Sequence, residues 1–552
     1  MTTFFHNTKN DLTNLNKGDI LVSVLVFAAI AVTVLTGLVN WGATLLAEIR
    51  AVSAKEQAFQ IAEAGIDYYR WHLAQYPTDY QDGTTTPGPY NHNFYDKNNN
   101  LIGGYSLAIT PPPLGSTKVV ITSTGTTTTN KNVKRIVQAI LAEPSLAQFA
   151  VVSNDYMRFG SGTVVNGPIT SNKGIHFDGI ANNVISSAMA TYNDPDYQSG
   201  VSNDNGGSCT NISYGVHTCI SPADPSPPSA AANNLAVFAA GRQYPVPATD
   251  FAGLTVNLQQ LKTIADASGY DFPNPAQYKT ITYNKKGQQT GTQTSNGIGY
   301  HMVLSPPNSA YPNGYFTLYT VIALVSSPNN NCSNNATANS EAQWDTRSIQ
   351  SETSYNMDGN HSNGVYPFPS NGVIFSQDDL WVDGQINGSR LTIAAGQLPD
   401  PGVGYEPSIN IGGVNNEDDG SLLYTSFNGN DVIGLIAQGN VNVPLQSPDN
   451  VTVDAALMAE NGRVGRFYYS SSCNITDPDY PGNSSNRYYY NRSTLNLDGM
   501  IATNQRYGFA YTDSTGYTNR NLNYDANLLY SPPPNFPLAS TQYQMASWKQ
   551  LQ

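Results

Sequence analysis

Residues 20–39 form an uncharged apolar run of Val, Leu, Ile, Ala and Phe, interrupted only by Ser23, Thr33, Thr36 and Gly37. At ~1.5 Å per residue, a helix over this run is about 30 Å long, the thickness of a hydrocarbon core. A secretory signal peptide has a shorter apolar core, about 7–15 residues, followed by a small-residue cleavage site. This run is too long for that. Beyond it, Leu45, Ile49, Val52, Phe59, Ala62, Ile66, Tyr69 and Leu73 recur at steps of three and four, with Glu56 breaking the row. Lys55, Glu63, Asp67 and Arg70 take other positions, so the membrane helix continues outward as an amphipathic one. Pro77 is expected to end it. Lys9 and Lys17 precede the span, against Asp11 and Asp19, which places the N-terminus inside and the C-terminal part outside.

The polar leader of residues 1–18, the Gly18 that closes it and the apolar run that follows resemble the N-terminal half of a type IV pilin. The segment Gln57-Ala58-Phe59-Gln60-Ile61-Ala62-Glu63-Ala64-Gly65-Ile66 resembles the PilX-type minor pilins. The resemblance covers roughly the first 76 residues. It implies cleavage by a prepilin peptidase between Gly18 and Asp19, and helix packing through Phe59, Ala62, Gly65 and Ile66. It also implies, as partners, other pilins, the pilus assembly machinery and the inner (cytoplasmic) membrane. Ser23 stands where major pilins carry Glu, and Asp19 where the first mature residue is usually apolar. The implied subunit is therefore a minor or atypical one. The plain alternative is a signal anchor holding a surface domain.

The remaining chain has a different texture. Only 12% of the 552 residues are charged, the net charge is −14, and Lys and Arg are sparse beyond the helix. No basic stripe offers a phosphate track, so nucleic acid is not an expected partner. Gly, Pro, Asn, Ser, Thr and Tyr are abundant, a composition for turns and short strands.

Residues 104–109, 118–125 and 133–141 read as three strands of a small pilin-like sheet on the outer half of the helix, within residues 77–142. Residues 96–100 alternate oxygen side chains as a calcium loop does, but Leu101 and Leu107 occupy the places that need Gly and an acid, which leaves a hairpin turn. From Glu143-Pro144 on, short strands close on Gly or Asn at near-regular spacing, over residues 143–193 and again over 370–530. The fold class is α+β, with a long N-terminal helix, a small sheet and a mainly-β domain. A β-helix is favoured for that domain, with a β-sandwich as the alternative. Residues 194–369 read as an insertion holding a short helix near 256–265, and the proline-rich tail 531–552 as a cap.

The four cysteines, Cys209, Cys219, Cys332 and Cys473, all fall in the exported part. Cys209 and Cys219 flank a short turn-rich loop and are expected to pair with each other, leaving Cys332 with Cys473; four cysteines allow three connectivities. There is no Cys-x-x-Cys, His217 alone completes no metal site, and the seven histidines show no ligand spacing. No cofactor is expected. Ca²⁺ remains an option at Asp194-Pro195-Asp196, at Asp477-Pro478-Asp479 and at Glu417-Asp418-Asp419, each otherwise a solvated loop.

No nucleophile elbow, P-loop, His-Glu-x-x-His or dinucleotide fingerprint occurs, and no enzyme is expected. A carbohydrate-active β-helix would need paired carboxylates in one groove, for which Asp378, Asp379, Asp383 and Asp454 are the candidates, with Arg390 as the nearby cation. The expectation is a structural surface subunit, at the tip of a filament or an occasional member of it. The alternative is an anchored adhesin whose Tyr-rich domain meets a glycan or another cell.

Overall fold

The computed structural model describes residues 17–197, 209–231, 233–251, 254–286, 288–326, 345–359, 361, 363–400, 402, 404–414, 420–471, 473, 475 and 488–551. The chain divides into two compact units. One holds Met1–Thr110, Val119–Leu141 and Met545–Gln552; the other holds Pro111–Lys118 and Ala142–Gln544.

The first unit is built on one unbroken helix, Lys17–Gln75, of 59 residues. The hydroxyls of Ser23, Thr33, Thr36 and Thr44 do not disturb it, because each bonds back along the helix. Ser23 Oγ donates to Asp19 O at 2.8 Å, Thr36 Oγ1 to Val32 O at 2.7 Å and Thr44 Oγ1 to Asn40 O at 2.9 Å. The polar atoms in the apolar run are thus satisfied from within, as a lipid environment requires. Gly37, Asn40 and Gly42 are poor helix formers, yet the helix runs through all three.

From Ala54 onward the helix lies on an antiparallel sheet. The strands run in the order Tyr90–Tyr95, Leu101–Thr110, Val119–Thr127, Lys134–Ala142 and Gln544–Gln550. The three expected strands are present. Tyr90–Tyr95, read from sequence as turn material, adds one edge; the C-terminal segment adds the other. Strict alternation of buried and half-exposed residues along Val119–Thr127 is the signature of a sheet covered on one face. Ala58, Ile61, Ala62, Ile66, Tyr69 and Leu73 are buried on the helix side, and Leu107, Val119, Ile121, Val137 and Ala139 on the sheet side. Gly125 permits the close approach, since a Cβ there would stand 2.1 Å from Ala58 O and 2.6 Å from Ala62 N.

In the second unit the main ladder is parallel throughout. Tyr270–Phe272, Val373–Ser376, Arg390–Ala395, Val432–Ala437, Asn450–Ala459, Asn491–Thr503, Val151–Ser153, Ile169–Ser171, Ile185–Ser187 and Arg242–Gln243 neighbour one another in that order. Other faces of the same coils form further parallel ladders. One runs from Gly299–Ser305 through Leu380–Ile386 and Ile409–Ile411 to Val464–Gly465. Another joins Gly516–Tyr524, Thr163–Asn166 and Ile180–Ala181. Matched register stacks Ile374, Ile393, Leu435, Leu457, Ile501, Val151, Ile169 and Ile185 into one buried aliphatic column. Asparagines stack outside it. Asn182 donates to Asn166 and Asn166 to Asn523, at 2.6 and 2.7 Å.

The chain enters this stack in its middle. Residues 151–243 coil away from the Ile501–Val151 junction toward one end. The chain then resumes at the opposite end with Tyr270–Phe272, and residues 373–503 coil back to the junction. The antiparallel pairing that a sandwich needs is confined, among the described residues, to the group around Tyr315–Ser326, two hairpins and two isolated bridges, Ser145 with Leu538 and Ala510 with Gly516. The segment read as an insertion is only partly one, because Val216–His217, Arg242–Gln243, Tyr270–Phe272 and Gly299–Ser305 each extend a ladder. Within it the helix Leu254–Ser268 buries Leu258, Leu261 and Ala265 in one cluster with Val373 and Phe375.

The tail is not an end cap. Arg390 donates to Ser531 O and Pro532 O, and Phe536 joins the buried cluster of Val432 and Ile436, so residues 531–536 cover a flank of the coils. Gln544–Gln550 then completes the five-stranded sheet.

Candidate functional site

The long helix has two halves with opposite surroundings. Leu25, Phe27, Leu35 and Val39 are 62%, 72%, 60% and 68% exposed, whereas Ala58, Ala62, Tyr69 and Leu73 are wholly buried. The helix is long and apolar enough to cross a membrane. Of the expected packing residues, Ala62, Gly65 and Ile66 are buried against the sheet, and Phe59 meets Trp548 edge-on with ring centroids 6.1 Å apart. They are therefore occupied within the chain, and the unpartnered apolar face lies nearer the N-terminus. Gly18 and Asp19 lie in the first turn of the helix; the leader before Lys17 lies outside the described residues.

The carboxylates considered for glycoside chemistry are held by separate local partners. Asp378 accepts from Tyr405 OH at 2.7 Å and from Ala276 N–H at 2.8 Å. Asp379 pairs with Arg347 at 2.9 Å. Asp383 lies 3.4 Å from His301 Nε2, whose Nδ1 is 2.7 Å from Glu352. Arg390, the expected cation, is spent on the carbonyls of Gly429, Ser531 and Pro532.

Asp454 is different: its Oδ2 accepts from Tyr424 N–H at 2.8 Å, while its Oδ1 is buried without a hydrogen bond among the described residues. Burial pushes its carboxyl up to about 7, with the carboxylates of Asp498 and Asp525 adding to the shift and Tyr424 N–H opposing it. A carboxyl raised in the folded state loses stability as pH rises from its unfolded value of about 4 to its folded value. Asp454→Asn is therefore expected to match the parent below pH 4. Above pH 7 it should be more stable by about 2 kcal/mol, a figure discounted from the full shift for relaxation. Urea unfolding at pH 4 and pH 8 checks this.

Cys209 and Cys219 form the expected disulfide, with Cα atoms 5.2 Å apart. Cys473 is buried and disulfide-bonded; Cys332, its expected partner, lies outside the described residues, as do Asp477-Pro478-Asp479 and Glu417-Asp418-Asp419. Asp96 closes a hairpin turn, its carboxylate accepting from Asn98 and Asn100 N–H, both at 2.8 Å.

The histidines are not all scattered. His176 and His217 occupy the same register position on the neighbouring parallel strands Ile175–Phe177 and Val216–His217, with ring centroids 4.7 Å apart. Asp194, from the acidic pair Asp194-Pro195-Asp196, joins them. Its Oδ2 is 3.0 Å from His176 Nδ1 and 3.3 Å from His217 Nε2. The sequence does carry a trace of the pairing: Gly174-Ile175-His176 and Gly215-Val216-His217 share the order Gly, β-branched residue, His. Each glycine makes room for a neighbour, the Tyr192 ring at Gly174 and Met189 O at Gly215. The spacing of 41 residues hides the repeat from any local ligand pattern. Burial disfavours charge on His176, but Asp178 and Asp194 outweigh it and raise the imidazole to about 9. Burial and the neighbouring His176 lower His217. Asp194 is held below the usual carboxylate range, because the two histidines outweigh its burial.

No family model matches the chain. No curated protein matches it either. Among solved structures it is similar to the competence-associated pilin ComZ from Thermus thermophilus, at 14% identity and a TM-score of 0.29, over 90% of this chain and 98% of that one.

Proposed function

We propose that the chain is a membrane-anchored, pilin-like minor subunit of a type IV pilus-related filament, carrying a β-helix body outside the membrane. The observation that carries this reading is the divided helix: one face of its outer half is clothed by its own sheet, while the apolar run of residues 20–39 before it is bare. A bare apolar helix of that length needs a second apolar medium. The bilayer supplies it before assembly, and the equivalent helices of neighbouring subunits supply it in a filament. Prepilin peptidase would cut after Gly18, so that the mature chain begins at Asp19. A head as large as Ala142–Gln544 would crowd a regular lattice, which favours a tip or occasional position.

The parallel ladders support a β-helix body, since coils stacked at matched register bury one continuous column. Deletion of the gene tests the role. Loss of surface filaments is the expected result. Normal filaments with lost attachment would instead assign the chain to adhesion.

A further inference from the structure

At one end of the ladders three buried, ion-paired side chains converge. His176, His217 and Asp194 are 1%, 2% and 4% exposed. His176 Nδ1 and His217 Nε2 face Asp194 Oδ2 at 3.0 and 3.3 Å, yet none of these atoms makes a directed hydrogen bond among the described residues. Buried polar atoms left in that state are costly. A cation between them removes the cost. Around a tetrahedral Zn²⁺ with ligands at about 2.0–2.1 Å, neighbouring ligand atoms stand roughly 3.3–3.4 Å apart. The His217–Asp194 spacing is of that size, and the His176–Asp194 spacing is somewhat shorter.

The far side of each residue is fixed by another group. His176 Nε2 lies 2.8 Å from Asp178 Oδ2, and Asp178 Oδ1 accepts from Cys219 N–H at 2.9 Å and Thr218 Oγ1 at 3.0 Å. His217 Nδ1 lies 3.1 Å from Tyr192 OH. Asp194 Oδ1 accepts from Asp196 N–H at 2.9 Å. One atom inward, the other tied by an outer partner, is the arrangement that orients metal-binding imidazoles and carboxylates. The disulfide sulfurs stand on the other side of the His176 ring: Cys219 Sγ is 3.0 Å, and Cys209 Sγ 4.0 Å, from Nε2. Asp196 lies near, with its Oδ2 2.5 Å from Arg506.

We propose that His176 Nδ1, His217 Nε2 and Asp194 Oδ2 bind one divalent transition-metal ion of the Zn²⁺ class, with the Cys209–Cys219 disulfide beside it as a clamp and not as a ligand. Two imidazoles and a carboxylate suit Zn²⁺ or Co²⁺ better than Ca²⁺, which takes oxygens. The ion pins the last coil of the ladders, where a parallel stack exposes its unpaired edge.

The test uses the full-length chain in detergent, disulfide intact, stripped with chelator and titrated with Co²⁺ and then Zn²⁺. The expected result is one Co²⁺ per chain with visible d–d bands, displaced by Zn²⁺, and no near-ultraviolet thiolate charge transfer. His217→Gln and Asp194→Asn should each weaken binding at least about tenfold, and Tyr192→Phe, which touches only the outer nitrogen, by about tenfold. Zn-edge X-ray absorption of the parent chain should show N/O scatterers at about 2.0–2.1 Å with imidazole outer shells. That spectrum decides the question even if the variants misfold. The proposal falls if micromolar metal does not bind, if sulfur scatters at about 2.3 Å, or if folded variants bind as the parent does.

Discussion

Replacing Phe27 and Ile30 together by arginine is expected to move the chain from the membrane fraction to the soluble one. Both side chains lie near the centre of the apolar run and are more than half exposed, 72% and 52%, so neither is needed by the fold of its own chain. At a span's centre, arginine costs about 2.5–3.5 kcal/mol, where Phe or Ile contributes about −0.3 to −0.6. The pair therefore shifts insertion by roughly 6–8 kcal/mol, a change of about four to six orders of magnitude in partitioning. Trp71→Arg is the control. Trp71 is 59% exposed on the same helix but beyond the apolar run, and its replacement should leave membrane attachment intact. Carbonate extraction and flotation read both outcomes. A double variant that stays in the membrane would mean that another segment holds the chain there.

Gly125→Val is expected to cost about 3 kcal/mol or more of the stability of the helix–sheet unit. The new Cβ would meet Ala58 O and Ala62 N, both backbone atoms of the crossing helix, which cannot rotate away. Either the helix lifts from the sheet, opening the contact that buries Ile61, Ala62 and Ile66, or the strand Val119–Thr127 bends. Gly65→Ala provides the contrast. There the close atoms belong to side chains, the Ser123 hydroxyl, which can turn, and the Tyr105 ring at 2.9 Å, which must shift slightly, so the loss should be smaller than that of Gly125→Val. Hydrogen exchange of residues 54–73 under native conditions separates the two, because it reports the helix–sheet contact directly.

Local features of the fold were legible where neighbours in sequence are neighbours in space. The apolar run, the helix end near Pro77, the three strands after it and the Cys209–Cys219 pair are all of this kind. The Gly- and Asn-closed strands were legible too, since a turn writes its backbone needs into its own residues. What sequence left open was which strand pairs with which. In a parallel stack, alternation fixes the buried face of a strand but not its partner. Hence the entry at mid-stack through Val151 and Ile501, the extension of the ladders by Val216–His217 and Gly299–Ser305, and the return of Gln544–Gln550 to the first sheet all went unread.

The candidate site follows the same division. Asp194-Pro195-Asp196 stood out as a local acidic pattern, while its imidazole partners were dismissed because ladder register alone sets His176 beside His217. Conversely, Asp378, Asp379 and Asp383 lie close together in sequence, but each is drawn to a different partner by its own strand or turn.

The most direct measurement of the central claim is the mature N-terminus, by mass spectrometry, of the chain recovered from sheared surface filaments and from membranes. A chain beginning at Asp19 is expected in the sheared fraction, cut after Gly18 and incorporated through its bare apolar helix. An intact Met1 found only in membranes would contradict it, leaving an anchored surface protein whose helix never leaves the bilayer.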